Sequence, residues 1–418
     1  MVKKIFEEIS KKMKNKRNDS PLAIVFGRNY TTRLSLIRAA GISGCEVVSI
    51  QTQRNQKKIQ RIDSSSKYVV ESRICNEPNQ KELINLILSY KNEDRKIVLL
   101  PADDYAAATI DSNMQVLGSE FFMPHINHTQ GAVVKLMDKS YQKEIAERVG
   151  LKVVKSWIAN YQDGVYSIPD NVLFPCFIKP IECYSRGPLK KYLVRCNTEE
   201  ELKATLSEIS KIYKNQILIE EFKTIEKEYA ILGLSLANYS VIPSIIQMKL
   251  FRQGLTASGC IYPISRIPKL QDLLCQFMQE TQLTGLFDID MYESGGELYF
   301  NELNVRFGAS GFALNKVVNL PGVFINYLLN GEKSIHPVID EFKEFSFVSE
   351  KVLLDMYYDG MISYKGFKSY IKNADILSLK YDNDDGPYKT FCRIYSFLPL
   401  RKKFHLVKMW IKKRLFHV

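Results

Sequence analysis

The chain has 418 residues, of which 45% are hydrophobic, and this length suits two or three packed subdomains rather than one ordinary core. No segment approaches the roughly 18–20 uninterrupted apolar residues that span a bilayer, and the N-terminal segment MVKKIFEEISKKMKNKR lacks the apolar stretch of a signal peptide. The eight cysteines include no CxxC pair, which is typical of reduced thiols and predicts a cytoplasmic protein.

The formal net charge of +12 is concentrated at the two ends of the chain. Residues 1–17 carry seven Lys and Arg against two Glu, and residues 386–418 carry nine Lys and Arg with no acid. The body of the chain is therefore nearly neutral, which argues against a nucleic-acid-binding core and predicts no nucleic-acid partner. The two basic ends either contact an anionic surface or are simply solvated.

The first part of the body alternates short apolar runs with amphipathic stretches. The predicted elements are strand Leu22–Phe26, helix Leu34–Ala40 ended by Gly41, strand Glu46–Ile50, helix Lys81–Tyr90 and strand Ile97–Leu100. This alternation predicts a parallel sheet with crossover helices. The segment Gly27-Arg28-Asn29 follows the first strand, where such folds place ligand loops, but no GxGxxG is present and a dinucleotide site is not expected.

Beyond a helix at Lys139–Val149, short strands dominate the pattern. Strands are predicted at Lys152–Ala159, Cys176–Lys179, Tyr192–Arg195, Ile217–Glu220, Tyr229–Leu236 and Val241–Met248, and helices at Thr198–Tyr213 and Lys269–Thr281. Thr198 followed by Glu201 is a capping signal for the first of these helices. The strands Phe287–Tyr292 and Glu297–Leu303 predict a hairpin closed by Ser294-Gly295-Gly296.

This hairpin carries the strongest chemical signal. Because side chains alternate across a strand, Asp288 and Asp290 share one face of the first strand, and Glu302 and Asn304 share one face of the second. If both faces point the same way, their oxygen atoms suit Mg²⁺. The alternative is an acidic hairpin facing water, but apolar residues between the acids indicate a buried opposite face: Phe287, Ile289, Met291, Tyr299 and Leu303.

Three further segments carry groups suited to a nucleotide, although each alone has a plainer interpretation. Lys179 ends an apolar strand before Pro180, and the small polar residues of Glu182–Gly187 could fold over phosphates. The strand Ile217–Phe222 runs into two acids and an aromatic ring, and Glu228 follows it. Lys139 opens a helix, where the helix dipole favours anions. The plainer interpretations are a buried strand ending in Lys-Pro, a strand that reaches the surface, and a surface lysine.

Taken in order, these motifs resemble the ATP-grasp superfamily over roughly residues 20–332. The sequence is most similar to the carboxylate–amine ligase branch that includes D-aspartate ligase, with Ser66–Tyr68 and Pro101–Tyr105 as supporting segments. Two departures from the family pattern are Val305, where proline is usual, and the bulky Cys183–Gly187 in place of a glycine- and serine-rich phosphate loop.

The resemblance implies a fold of mixed α/β and α+β class. It consists of an N-terminal Rossmann-like pre-ATP-grasp domain, the two-lobed ATP-grasp fold and a C-terminal extension. The implied boundaries are a basic lead-in at 1–20, the pre-ATP-grasp domain at 21–128, the N-lobe or lid at 129–215, the C-lobe with the metal site at 216–332, and the extension with its basic amphipathic tail at 333–418.

The resemblance also implies ATP and Mg²⁺ (or Mn²⁺) as cofactors and assigns residues to them. The phosphate-binding set is Lys139, Lys179 and Ser185. The adenine pocket is lined by Glu220, Glu221 and Phe222, with the backbone near Phe222 reading the base edge, and Glu228 binds the ribose. Glu302 bridges two metal ions and Asn304 binds one of them. Asp290 is preferred over Asp288 as the acidic partner from the first strand.

The catalytic candidates are basic residues. Arg306 is expected to steady the transferred phosphoryl group or the acyl phosphate. Lys249 and Arg252, together with Arg266, flank a predicted loop at Gly254–Gly259 that would face the acceptor. The alternative for each is a solvated basic residue.

The implied function is an ADP-forming ligase that joins a small-molecule carboxylate to an amine through an acyl phosphate, with a cell-envelope precursor or an amino acid as candidate substrate. Positioning and charge neutralisation carry such a reaction, and the sequence has no convincing Ser-His-Asp or Cys-His set. The alternatives are another ATP-grasp chemistry, of the carboxylase or acyl-CoA synthetase type, and a non-catalytic ATP-binding scaffold.

The C-terminal extension has two parts. Residues 340–385 are expected to be folded, and Asp382–Pro387 to be a turn or linker. In Phe404–Val418, apolar residues at helical spacing alternate with cations, a pattern typical of helices that lie on an anionic membrane, here at its inner face. The alternative is a helix docked on its own domain or on the second subunit of a homodimer.

Overall fold

The computed structural model describes residues 20–53, 57–75, 80–91, 95–181, 194–237, 241–252, 255–331, 342–381 and 383–395, without the side chains of 57–59 and 241–255. The predicted phosphate loop with Ser185 and the amphipathic tail Phe404–Val418 lie outside the described residues, as does most of the basic lead-in. In the part that is described, no helix is both long enough and apolar enough to cross a membrane.

The N-terminal unit is a five-stranded parallel sheet in the order β3-β2-β1-β4-β5. Its strands are β1 (Leu22–Gly27), β2 (Glu46–Gln51), β3 (Val69–Ile74), β4 (Ile97–Pro101) and β5 (Phe121–Phe122). Its helices are α1 (Tyr30–Ile42), α2 (Lys57–Asp63), α3 (Gln80–Leu88), α4 (Asp104–Ser112) and α5 (Met114–Leu117). The predicted parallel sheet is confirmed. The strand order reverses between β1 and β4, so their carboxyl ends open onto a crevice of the kind that binds ligands.

A second unit follows a short connection formed by β6 (His125–Ile126) and α6 (Ala132–Leu136). It is a four-stranded sheet in the order β11-β10-β12-β7. Its elements are α7 (Lys139–Arg148), β7 (Ser156–Ala159), the small hairpin of β8 (Tyr161–Gln162) and β9 (Val165–Tyr166), β10 (Cys176–Pro180), β11 (Arg195–Cys196), α8 (Glu199–Ser210) and β12 (Ile217–Glu221). The predicted cap of α8 is confirmed, because the Thr198 side chain accepts a hydrogen bond from the Glu201 amide at 3.3 Å.

The largest sheet has eight strands, in the order β17-β16-β13-β14-β15-β18-β19 with β6 paired to β16. Its strands are β13 (Lys227–Ser235), β14 (Val241–Arg252), β15 (Leu255–Tyr262), β16 (Leu283–Ser294), β17 (Glu297–Asn304), β18 (Phe345–Val348) and β19 (Ile376–Leu377). The accompanying helices are α9 (Leu270–Thr281), α10 (Gly311–Leu314), α11 (Leu320–Asn330), α12 (Glu350–Tyr358), α13 (Tyr364–Asn373) and α14 (Gly386–Ile394). The predicted β16–β17 hairpin is confirmed, and the C-terminal extension contributes two strands to this sheet.

The predicted loop at Gly254–Gly259 is wrong, because β15 occupies most of it. This strand pairs with β14 on one side and with β18 on the other. Its sequence LTASGCIY is rich in small residues, which favours a loop, but pairing on both edges and burial of Ala257 and Ser258 outweigh that preference.

Helix α1 lies at the centre of the molecule, and every residue from Tyr30 to Ala40 is buried. It starts earlier than predicted, because the Asn29 side chain accepts hydrogen bonds from the amides of Thr31 and Thr32. Gly41 does not end the helix. A Cβ atom at Gly41 would lie 2.2 Å from the Tyr68 ring, so the glycine allows this ring to pack against the helix.

A buried ion pair attaches the C-terminal extension to α1. Arg38 Nε donates to Asp384 Oδ2 at 2.8 Å, and its terminal nitrogens donate to the carbonyls of Ser378 and Leu379. Asp384 also accepts from the Ser66 hydroxyl at 2.8 Å. The segment predicted as a turn or linker therefore anchors the extension to the N-terminal unit.

We expect Asp384→Ala to lower the free energy of unfolding by about 3–5 kcal/mol, because Arg38 would keep its buried charge without a partner. Urea unfolding monitored by circular dichroism measures this change. The control is Asp385→Ala, since the Asp385 side chain is half exposed and, among the described residues, forms an ion pair with the exposed Lys389 alone. Equal stability of the two variants would show that the ion pair does not attach the extension.

Candidate active site

One cleft of about 530 Å³ lies between the units and contains most of the predicted site residues. Of the predicted residues whose side chains are described, every one except Arg266 lines it: Lys139, Lys179, Glu220, Glu221, Phe222, Glu228, Asp288, Asp290, Glu302, Asn304 and Arg306. The side chains of Lys249 and Arg252 lie outside the described residues, although their backbone belongs to β14. Arg266 does not line the cleft. It pairs at the surface with Glu344 at 2.8 Å.

The β16–β17 hairpin presents its carboxylates to this cleft as the alternation of side chains predicts. Asp288 lies opposite Asn304, and Asp290 lies opposite Glu302. The Asn304 amide nitrogen is 3.2 Å from the carbonyl oxygen of Asp288 and 3.4 Å from Asp290 Oδ2. The two strands therefore place two carboxylates and an amide side by side.

A β-bulge at Asn301 interrupts the regular alternation of side chains along β17. The register passes from Met291 opposite Phe300 to Asp290 opposite Glu302, so Asn301 is the extra residue. Because a bulge adds one residue, Asn301 and Glu302 both line the cleft although they are neighbours in sequence. The sequence analysis missed Asn301 for this reason.

Lys139 begins α7 and forms a buried ion pair with Glu302. Its Nζ lies 3.0 Å from Glu302 Oε2, and the two side chains are 2% and 5% exposed. Asp138 caps the helix by accepting hydrogen bonds from the amides of Ser140 and Tyr141. The Lys139 amide donates to the carbonyl of Ile181, at the end of β10. These contacts fix the lysine at the base of the cleft.

Glu220 is buried between two lysines, Lys143 and Lys179. Lys179 Nζ lies 2.5 Å from Glu220 Oε2 and also donates to Asn301 Oδ1 at 2.8 Å. Burial raises the pKa of the Glu220 carboxyl, but Lys179 and Lys143 outweigh burial and hold this pKa at about 2, below its usual 4.5. Glu220 is therefore ionised and lies with the cations rather than apart from them.

Arg306 connects the hairpin to the N-terminal unit. Its Nη1 donates to Asp288 Oδ2 at 2.7 Å, and its Nε lies 3.4 Å from Asp104 Oδ1 at the start of α4. Burial lowers the pKa of Arg306, but Asp104 and Asp288 outweigh it and raise this pKa above its usual value. Burial also raises the pKa of Asp288, against the opposing effect of Arg306. Asp288 is thus engaged by Arg306, whereas Asp290 faces Glu302.

The other end of the cleft is more apolar. The Arg195 guanidinium lies 4.5 Å from the centre of the Phe222 ring. The amides of Glu221 and Phe222 already donate to the carbonyls of Lys155 and Pro175, so these two donors are not free to read a base edge. The Glu228 side chain makes no hydrogen bond or ion pair with the described part of the chain, and burial raises the pKa of its carboxyl.

The hairpin is suited to a magnesium ion shared with phosphates, although a complete cage is absent. Among the described residues, no three His, Cys, Asp or Glu side chains cluster in a metal-binding arrangement. Mg²⁺ usually takes only one or two carboxylates from the protein and completes its shell with water and substrate phosphates. Asp290, Glu302 and Asn304 supply oxygen donors of that kind.

Four residues of the site escaped the sequence analysis: Gln142, Lys143, Asn301 and Asp104. Lys143 could have been found, because it follows Lys139 by four residues and so lies on the same face of a helix. Asp104 belongs to Pro101–Tyr105, which the sequence analysis singled out without giving it a role. Gln142 follows Lys139 by three residues and shares its helix face, but nothing in the sequence shows which backbone it binds. Asn301 has no signal in the sequence.

Comparison with known proteins identifies a domain that contributes much of the cleft. Residues 144–318 match the family model of the ATP-grasp domain. This part of the chain is an ATP-grasp domain. The predicted ATP-grasp fold is thereby confirmed.

Proteins that resemble longer parts of the chain agree with this ATP-grasp assignment. The chain is 22% identical over 271 residues to the D-alanine–D-alanine ligase of Staphylococcus epidermidis, covering 61% of this chain and 72% of that protein. It resembles the crystal structure of the L-amino acid ligase from Bacillus licheniformis with a TM-score of 0.54 and 13% identity, over 78% of this chain and 79% of that one.

A third relative binds a nucleotide. The N5-carboxyaminoimidazole synthetase from Staphylococcus aureus, complexed with ADP, gives a TM-score of 0.59 and 17% identity over 82% of this chain and 85% of that one. The family model confirms the predicted ATP-grasp domain, and two of these relatives are ligases by name. The narrower resemblance to D-aspartate ligase stays a prediction.

The charge of Glu220 should appear in the pH dependence of stability. Since its pKa is about 2 in the folded protein and 4.5 without these contacts, its contribution is complete above about pH 5 and is lost as the pH falls toward about 2. We expect the stability advantage of the wild type over Glu220→Gln to shrink over that range in urea unfolding. Glu221→Gln, which removes a charge paired with Lys223 at 2.5 Å, is the control. An advantage that does not change with pH would contradict the ion-paired state of Glu220.

Proposed function

We propose that the protein is an ADP-forming carboxylate–amine ligase that activates a carboxylate with ATP and joins it to an amine. The observation that carries this proposal is the pairing of buried cations and carboxylates in one cleft. Lys139 is held by Glu302, Lys179 by Glu220, and Arg306 by Asp288. Such a cleft holds the charges that bind a nucleoside triphosphate and its metal ion.

The lysines are placed to exchange carboxylate partners for phosphate oxygens. Glu302 would hold the cation, and Lys139, now paired with Glu302, would bind a phosphate of ATP. Lys179 would bind a second phosphate while keeping its contact with Asn301. The cation would cancel part of the phosphate charge and the lysines would balance more of it, which avoids the high cost of an unpaired buried charge.

For the metal, the proposed ligands are Asp290, Glu302 and Asn304. Asp288 is assigned to Arg306 instead, because its Oδ2 accepts from that guanidinium at 2.7 Å. This contact supports the preference for Asp290 over Asp288 as the metal ligand. The bound ion would neutralise charge on the phosphates and orient them for transfer.

In the proposed reaction, a carboxylate oxygen of the first substrate attacks the γ-phosphorus of ATP, and ADP leaves. The amine nitrogen of the second substrate then attacks the carbonyl carbon of the acyl phosphate. Phosphate leaves, and the nitrogen loses a proton to give the amide. Arg306 lies beside Asp290 and Glu302 in the cleft, where its fixed positive charge can stabilise the transferred phosphoryl group.

The apolar end of the cleft is proposed to take the adenosine. Phe222 and Met291 line it and offer surfaces for the base. Glu228 is the proposed partner of the ribose hydroxyls, since its half-buried carboxylate has a raised pKa caused by burial alone. The base edge would have to be read by groups other than the amides of Glu221 and Phe222.

We propose an amino acid or a related small carboxylate as the substrate, and a small amine as the acceptor. Support comes from the names of two relatives, a D-alanine–D-alanine ligase and an L-amino acid ligase. A role on a cell-envelope precursor, a cytoplasmic location, a homodimer and contact of the tail with an anionic membrane stay predictions. So do the roles of Ser185, Lys249 and Arg252 and the boundaries of the implied domains.

The decisive assay is ATP cleavage in the presence of paired acids and amines. We expect one class of pair to stimulate release of phosphate and ADP, and Glu302→Gln to abolish this turnover, because the variant loses a metal-binding charge. Glu297→Gln on the same strand is the matched control, since the Glu297 side chain is mostly exposed and pairs with Lys152. The assay is run with mass spectrometry of the coupled product.

Three other outcomes would overturn the proposal. ATP binding without cleavage for any pair would favour the non-catalytic scaffold. Cleavage that depends on bicarbonate or on coenzyme A, without an amide product, would favour a carboxylase or an acyl-CoA synthetase. Full turnover by a folded Glu302→Gln would remove Glu302 from the metal site.

A further inference from the structure

Gln142 makes a buried contact that none of the roles above uses. It lies in the first turn of α7, between Lys139 and Lys143, and is fully buried. Its side-chain Nε2 donates to the carbonyls of Leu136 and Leu303, both at 2.8 Å. Its Oε1 accepts from the Leu303 amide at 2.8 Å. The amide group of Gln142 is therefore bonded on both sides, with two of its three bonds to one residue.

Leu303 is the residue between Glu302 and Asn304, the two proposed metal ligands on β17. Its own side chain points away from the cleft into the hydrophobic core. Strand β17 is the last strand of its sheet on that side. The backbone of Leu303 therefore finds on α7 the partners that a neighbouring strand would otherwise supply, and Gln142 takes the place of that strand.

The position of this contact matters because of the bulge at Asn301. A bulge disrupts the ladder locally and bends the strand that carries it. Glu302, Leu303 and Asn304 follow the bulge directly. The backbone that aims Glu302 and Asn304 is thus held by β16 on one side and by Gln142 on the other.

Gln142 also ties this backbone to the lysines. Lys139, Gln142 and Lys143 occupy one face of α7 and contact Glu302, Leu303 and Glu220 respectively. A shift of β17 along α7 would change the distance from Lys139 to Glu302 and the aim of Asn304 together. Residues that orient metal ligands in this way typically change metal affinity when they are replaced.

We propose that Gln142 is a positioning residue that holds Glu302 and Asn304 in the geometry that binds the metal ion. This inference rests on the proposed function, because it assumes a cation on the hairpin. Gln142 does not touch the substrate or the metal. It acts through the backbone of Leu303.

The test measures how binding of a non-hydrolysable ATP analogue depends on Mg²⁺, by calorimetry on the full chain. For Gln142→Met, which keeps the length of the side chain and loses its hydrogen bonds, we expect the half-saturating Mg²⁺ concentration to rise about 10-fold or more. Binding of the analogue without Mg²⁺ should change far less. Circular dichroism confirms that each variant is folded.

The control is Gln271→Met, a matched change on α9 at a position that does not line the cleft. It should leave the Mg²⁺ dependence at the wild-type value. Gln142→Glu is the second probe. Its carboxylate can accept from the Leu303 amide but can donate only when protonated, and burial favours the protonated form. Relative to the wild type at each pH, its Mg²⁺ requirement should therefore approach the normal value as the pH falls.

The possible results separate two kinds of failure. A wild type whose binding of the analogue does not respond to Mg²⁺ would contradict the proposed function itself. A wild type that responds, together with a folded Gln142→Met of unchanged Mg²⁺ requirement, would contradict only the role of Gln142. An equal loss of binding with and without Mg²⁺, or a raised Mg²⁺ requirement of Gln142→Glu that does not fall as the pH falls, would mean that Gln142 serves stability alone.

Discussion

The cleft is organised by the need to neutralise charges that have been taken out of water. A buried charge without a partner is costly, and the buried carboxylates of Glu220 and Glu302 are each matched by a cation from another element of the fold. Helix α7 supplies the partner of Glu302 on β17, and strand β10 supplies a partner of Glu220 on β12. The same contacts that keep the cleft folded are those that a metal–nucleotide complex would exchange. Folding and function therefore depend on one set of charges.

The N-terminal sheet and the C-terminal extension also help to fix the cleft, although most of their residues do not line it. Asp104, which follows β4, forms an ion pair with Arg306, which follows β17. The N-terminal unit therefore closes one end of the cleft. The extension adds β18 to the large sheet and holds α1 through the pair of Arg38 with Asp384. Because α1 is buried along nearly its whole length, the position of the N-terminal unit is fixed from both sides. The cleft is thus bounded by parts of the chain far apart in sequence.

Much of this could be predicted from the sequence, and the failures have physical reasons. Alternation of side chains placed Asp288, Asp290, Glu302 and Asn304 on one surface, and apolar runs gave the parallel sheet. Alternation cannot reveal a bulge, so Asn301 was missed, and a side chain that replaces a strand, as Gln142 does, has no local signature. Small residues suggested a loop where β15 forms, because pairing on both edges outweighs local preference. The predicted roles of the site residues came from the resemblance to the ATP-grasp superfamily, which rests on the order of the motifs and not on any single motif.

The central claim is that the paired lysines and carboxylates exchange partners with a metal–nucleotide complex. A crystal structure of the full chain with Mg²⁺ and a non-hydrolysable ATP analogue tests it most directly. The account predicts phosphate oxygens on Lys139 and Lys179, the cation on Asp290 and Glu302, and a broken contact between Lys139 and Glu302. A nucleotide bound outside the cleft, or one bound inside it with the contact of Lys139 and Glu302 intact and no cation on the hairpin, would contradict it.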